Sequence, residues 1–99
     1  MINWNIYEIS SPTQTLHGVK FRGRIRKFAI SQNINTLTEN AADKDNVVRF
    51  ALEDFQSAKP FIAFINTIMP DCQVRLVSKQ VTNPVLSKLK VNQAERYQI

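Results

Sequence analysis

The chain is poor in the residues that staple, break or bend a backbone. Its 99 residues include one cysteine, one histidine, two glycines and four prolines. A single cysteine rules out an intrachain disulfide, and Cys72 with His17 falls short of the four ligands of a closed zinc site. Cys72 therefore reads as a small buried hydrophobe. So little glycine and proline argues against a linker-rich or disordered chain. Long apolar runs are also missing. The longest, Phe61 to Ile65, is far short of the roughly 20 residues that span a bilayer, so no membrane association is expected. Met1 to Ile9 has no basic cluster followed by an apolar run, which is not the pattern of a secretory signal. The expected compartment is the cytoplasm.

What remains is ordinary for a globular protein, with 43% hydrophobic and 21% charged residues and no internal repeat or low-complexity segment. One domain over residues 1–99 is expected. It would bury roughly 60 to 70% of the unfolded chain's surface, enough for one core without disulfides or a structural metal, and no cofactor is expected. The net charge of +5 favours anionic partners, whether nucleic acid, acidic lipid or a phosphorylated small molecule, without choosing among them.

Hydrophobic periodicity gives the elements. Asn3 to Ser10, with Trp4, Ile6, Tyr7 and Ile9, reads as a strand that stops at Ser11 and Pro12. Lys20 to Gln32 reads as a helix, since Phe21, Ile25, Phe28 and Ala29 fall at i, i+4, i+7 and i+8. Its arginines, Arg22, Arg24 and Arg26, are placed mostly on the other, solvated faces, as is Lys27. Asn35 to Glu39 is a short strand and Asn40 to Asp45 a polar turn. Asn46 to Glu53 is a strand with Val48, Phe50 and Leu52 on one face, completing a hairpin. Ser57 to Met69 is a second helix, with Ser57 as its N-cap, Pro60 in its first turn and Phe61, Phe64, Ile65 and Ile68 as its buried stripe. Cys72 to Val81 is a further strand, and Gln93 to Ile99 adds a final edge strand. The order β-α-β-β-α-β predicts an α+β fold. It is the ferredoxin-like split β-α-β two-layer sandwich, with two helices on one face of an antiparallel sheet. That fold hosts many unrelated activities and does not itself assign one.

The run His17-Gly18-Val19-Lys20-Phe21-Arg22, between the first strand and the first helix, resembles the acylphosphatase signature Gly-x-Val-Gln-Gly-Val-x-Phe-Arg. Asn40, eighteen residues after Arg22, stands where that family has an asparagine at the end of its second strand. Ser87-Lys88-Leu89 and Arg96-Tyr97 are similar to its tail elements. The sequence departs from the pattern at Gln14, where the family has the first loop glycine, at Asn35-Thr36-Leu37, which lack its Gly-Trp pair, and at Asp45-Asn46, which replace its glycine turn.

The resemblance implies metal-independent hydrolysis of the carboxyl–phosphate bond of a small-molecule acyl phosphate, with inorganic phosphate as product or inhibitor, by a monomer. It implies Arg22 as a bidentate phosphate ligand at a helix N-terminus. It also implies Asn40 as the group orienting the attacking water, and Thr15, Leu16, His17, Gly18 and Val19 as a loop whose backbone N–H groups cradle the phosphate. Gly18 would permit close approach or positive φ in that loop. His17 stands at a position the family fills with glutamine, and reads either as loop filler or phosphate contact, or as a base. The altered loop leaves a second reading, an acylphosphatase-like module that binds an anion without turnover. A third is a basic nucleic-acid-binding domain, motivated by Arg22 to Lys27. It ranks last, because Val47 to Leu52 lacks the aromatic pattern of an RNA-recognition strand.

Overall fold

Six elements follow one another in the computed structural model, which describes residues 3–13, 15–16, 21–41 and 43–82. They are β1 (Trp4–Ser10), α1 (Phe21–Ser31), β2 (Thr36–Asn40), β3 (Val47–Glu53), α2 (Lys59–Ile68) and β4 (Gln73–Val81). The four strands form one open sheet in the order β2-β3-β1-β4, with every neighbouring pair antiparallel. β1 and β2 thus run parallel with β3 inserted between them, which is the split β-α-β arrangement expected from the element order. The edge strand expected at Gln93 to Ile99 lies outside the described residues.

Alternation along the strands sends Ile9, Val48, Phe50 and Leu52 to the helix-covered face, where they join Phe21, Ile25, Ala29, Phe61 and Ile65 in the main core. Aromatic rings run through this layer in sequence. Tyr7 stacks on Phe50 at 5.0 Å, Phe50 on Phe61 at 5.6 Å, Phe61 meets Phe28 edge-on at 5.2 Å, and Phe28 stacks on Phe64 at 4.4 Å. The other face holds a smaller buried cluster of Trp4, Ile6, Leu37 and Ala51, with Val81 packed against it.

That second face also carries a row of alternating charge. Register places Glu39 opposite Arg49, Arg49 opposite Glu8, and Glu8 opposite Arg75, one residue from each strand. Arg49 lies 2.9 Å from Glu8, 3.3 Å from Glu39 and 2.8 Å from Asp43, while Lys44 and Arg75 reach Glu8 at 3.1 and 3.2 Å. Burial acts to raise the Glu8 pKa, but the hydrogen bonds from Lys44, Arg49 and Arg75 outweigh it and hold the carboxyl below its ordinary value.

The ends of the elements follow local chemistry. Asn33, at φ 55°, takes the left-handed position after α1, and the Asn33 and Ile34 N–H groups return to the Ile30 and Ala29 carbonyls. At α2 the structure corrects the sequence reading. The N-cap is Ala58, with no side-chain cap bond, while the Ser57 hydroxyl one residue earlier accepts the Lys59 N–H at 3.2 Å. Pro60 sits in the first turn as expected. β4 is interrupted where it pairs with Trp4 to Tyr7, and Gln80 in that stretch has φ 53°. The Asn5 carboxamide oxygen accepts the Gln80 N–H at 3.0 Å.

A second correction concerns Arg26. It is not a solvated member of a basic helix but is buried, with 2% exposure. Its neighbours explain this. β2 turns Thr36 and Thr38 toward α1, and these small polar side chains leave room that large aliphatic ones would fill. Arg26 Nη1 donates to the Thr36 carbonyl at 3.5 Å and to Thr38 Oγ1 at 3.4 Å.

Candidate anion site at the β1–α1 end of the sheet

The topology brings two of the expected site residues to one end of the sheet. β1 finishes at Ser10, which pairs with Val47, and β2 finishes at Asn40, which pairs with the next residue, Val48. The chain leaves β1 there, enters α1 at Phe21, and crosses back so that α1 ends near the start of β2. Arg22 in the first turn of α1 and Asn40 at the last position of β2 therefore lie at the same end of the sheet.

Arg22 is exposed and forms no ion pair among the described residues. Asn40 is half-buried on the helix side of β2, and its carboxamide makes no hydrogen bond among the described residues. A guanidinium fork and a carboxamide at the same sheet end as a helix N-terminus can supply donors for a small tetrahedral anion, with an amide oxygen that can accept from a water.

The intervening loop is only partly described. Thr15 is exposed. Leu16 is buried at 1% exposure, its side chain in the main core beside Phe21. Its backbone N–H does not point into a cradle; it donates to Asn46 Oδ1 at 2.7 Å. His17, Gly18 and Val19 lie outside the described residues, as does Lys20.

Asn46 is the participant the sequence reading missed. It sits in the β2–β3 connection at φ 55°, where asparagine is better tolerated than most residues with a Cβ. Its amide nitrogen donates to the Ser11 carbonyl at 3.3 Å. The one available signal was Asp45-Asn46 standing where the acylphosphatase pattern turns on glycine. Asp71, at the start of the β4 side of this same end, accepts from Thr13 Oγ1 at 2.7 Å. Burial, and then the charge of Asp71, push the neighbouring Cys72 thiol pKa up.

Among the described residues no helix is long and apolar enough to cross a membrane. No family model matches the chain, and no curated protein and no solved structure matches it.

Proposed function

We propose that the chain hydrolyses small acyl phosphates at the Arg22–Asn40 end of its sheet. The observation that supports this reading is the shared position of the two side chains, neither bonded to another side chain among the described residues, at the end where the first helix begins.

In the proposed reaction, Arg22 holds two phosphate oxygens and offsets the charge that develops on them. The α1 N-terminus adds its own positive end to the same anion. Asn40 orients a water for in-line attack on phosphorus. A P–O bond forms to that water, the bond from phosphorus to the acyl oxygen breaks, and the carboxylate departs with the electron pair. The water's protons pass to solvent and to phosphate, giving a carboxylic acid anion and inorganic phosphate. A carboxylate is a good leaving group, so placement and charge neutralisation carry most of the demand.

The test is turnover of benzoyl phosphate by the pure folded protein, with Arg22→Ala and Asn40→Ala as controls. Turnover reduced at least about a hundredfold in both variants supports the proposal. A folded wild-type protein without turnover removes it.

The Leu16–Asn46 hydrogen bond favours a second reading, an anion-binding module without catalysis. It commits one N–H of the expected cradle to the protein itself. Phosphate binding that depends on Arg22, in a protein that leaves benzoyl phosphate intact, would select this reading.

A further inference from the structure

The outer surface of the helix layer holds a groove of about 450 Å³ lined by Arg24, Lys27, Phe28 and Ser31 of α1 and by Phe64 of α2. The α1 residues fall at i, i+3, i+4 and i+7, which is one continuous stripe along a helix. Phe28 and Phe64 stack at 4.4 Å to form the apolar floor, and the exposed Arg24 and Lys27 stand at its edge.

The two helices that line this groove carry charge of one sign. Neither α1 (FRGRIRKFAIS) nor α2 (KPFIAFINTI) contains an aspartate or glutamate. Arg22, Arg24, Lys27 and Lys59 are all exposed on these helices, whereas Glu8, Glu39 and Asp43 belong to the ion-pair row on the opposite sheet face. A basic helix layer is thus set against an internally neutralised sheet face, and the cations beside the groove are without carboxylate partners among the described residues.

We propose that the α1–α2 groove binds an acidic peptide segment, with one or two of the partner's apolar side chains against Phe28 and Phe64 and its carboxylates on Arg24 and Lys27. The volume lies within the range of ligand-binding clefts, roughly 300 to 1,000 Å³. Charge complementarity decides for a polyanionic partner. Two further facts decide for peptide over nucleic acid. Among the described residues two cations line the groove, whereas a nucleic acid is held by a track of phosphate contacts. Phe28 also spends one ring face on Phe64 and meets Phe61 edge-on, which reduces the open aromatic surface that stacked bases require.

The test uses the full chain and three labelled probes of equal length. The first is a peptide with leucine at i and i+4 and glutamate between, the second its lysine counterpart, and the third oligouridylate. Fluorescence anisotropy gives affinities, and two-dimensional NMR maps the contact. The expected result is binding of the acidic peptide, with shift changes centred on Phe28, Ser31 and Phe64 and little change at Arg22. Arg24→Glu with Lys27→Glu should weaken that binding at least about tenfold by placing like charges against it. Both sites are exposed, and an unchanged thermal melt establishes that the variant is folded. No acidic-peptide binding overturns the proposal, as does equal binding of the lysine peptide or a contact map away from the groove. Tighter binding of oligouridylate overturns it in favour of nucleic acid. The Arg22 site is read separately by phosphate titration, so the two conclusions fail independently.

Discussion

Asn46 Oδ1 accepts the Leu16 backbone N–H at 2.7 Å, joining the β2–β3 connection to the segment that leads into α1. Through its amide nitrogen the same side chain reaches the Ser11 carbonyl, so one residue pins two points of the β1–α1 connection. The hairpin that ends in Asn40 and the segment that leads to Arg22 are held to each other by this side chain.

Replacing Asn46 should expose that linkage. Asn46→Ala removes both hydrogen bonds and places at φ 55° a residue that tolerates the left-handed region less well than asparagine. The two bonds are worth about 1 kcal/mol each and the backbone adds a fraction of that, for a total near 2 to 3 kcal/mol. Asn46→Gly also loses the bonds but accepts the positive φ, and should be the more stable of the two by about 1 kcal/mol. Urea unfolding measures both. A glycine variant less stable than the alanine variant would show that the backbone at this position is not under left-handed constraint.

At Arg22 the proposed role depends on the fork as well as the charge. Arg22→Lys keeps a cation at the α1 N-terminus but cannot hold two phosphate oxygens in one plane. Turnover of benzoyl phosphate should fall about a hundred- to a thousandfold in Arg22→Ala, the scale of one lost transition-state donor, and by an intermediate factor in Arg22→Lys. Equal activity in Arg22→Lys and wild type would reduce the residue to a general electrostatic contribution.

The fold was legible because the helical and strand periods in this chain are clean. Phe21, Ile25 and Ala29 lie on one helix face and Val48, Phe50 and Leu52 on one strand face, and each set enters the core as its spacing requires. The common sheet end of Arg22 and Asn40 follows from the same element order. What stayed hidden depends on partners distant in sequence. Arg26 reads as one more surface cation until Thr36 and Thr38 are known to face it. The row Glu39, Arg49, Glu8, Arg75 exists only once the register of three strand pairs is fixed, because a slip of one residue turns a side chain to the other face. Asn46 looks like any turn asparagine until the β1–α1 segment is folded over it.

The burial of Arg26 leads to a comparison of two substitutions. Its bonds to Thr36 and Thr38 are at the long limit for hydrogen bonds, and taking a guanidinium out of water is costly. Arg26→Met retains most of the side-chain length in an apolar form and should be the less destabilising of the two. Arg26→Ala opens a cavity beneath α1 and should cost roughly 2 to 4 kcal/mol. Thermal or urea unfolding of the pair distinguishes packing from hydrogen bonding. A methionine variant as unstable as the alanine variant would assign the stabilisation to the guanidinium.

Cys72 should be slow to react although it lies in a short turn beside β4. It is 7% exposed, and burial and Asp71 both raise its pKa, so little thiolate is present near neutral pH. Modification by a disulfide reagent should be much slower in the native protein than in the denatured one, and Asp71→Asn should speed it only modestly because burial is the larger cause. Native and denatured rates that coincide would contradict both the burial and the shift.

The cross-strand charge row should make stability depend on pH in the acid range. Hydrogen bonds to Arg49 come first among the influences that hold Asp43 below its ordinary value of 3.8, and Glu8 is held below 4.5 by Lys44, Arg49 and Arg75 against the opposing effect of burial. A carboxylate with a depressed folded-state pKa contributes its stabilisation above the unfolded value and loses it as pH falls through the folded value. Stability should therefore be level near neutrality and decline below about pH 4.5. Arg49→Met removes the cation shared by Glu8, Glu39 and Asp43. With Lys44 and Arg75 still on Glu8, and Arg49 itself partly exposed, the cost near neutral pH should be roughly 2 to 3 kcal/mol, under the figure for a fully buried pair. Protonation of the same carboxylates at low pH removes Arg49's partners in the wild type, so the stability difference between variant and wild type should shrink as the solution is acidified. Urea unfolding of both proteins across the acid range measures that difference directly. A gap that stays constant with pH would mean that Arg49 stabilises the sheet through the packing of its aliphatic stem and not through the carboxylates it faces.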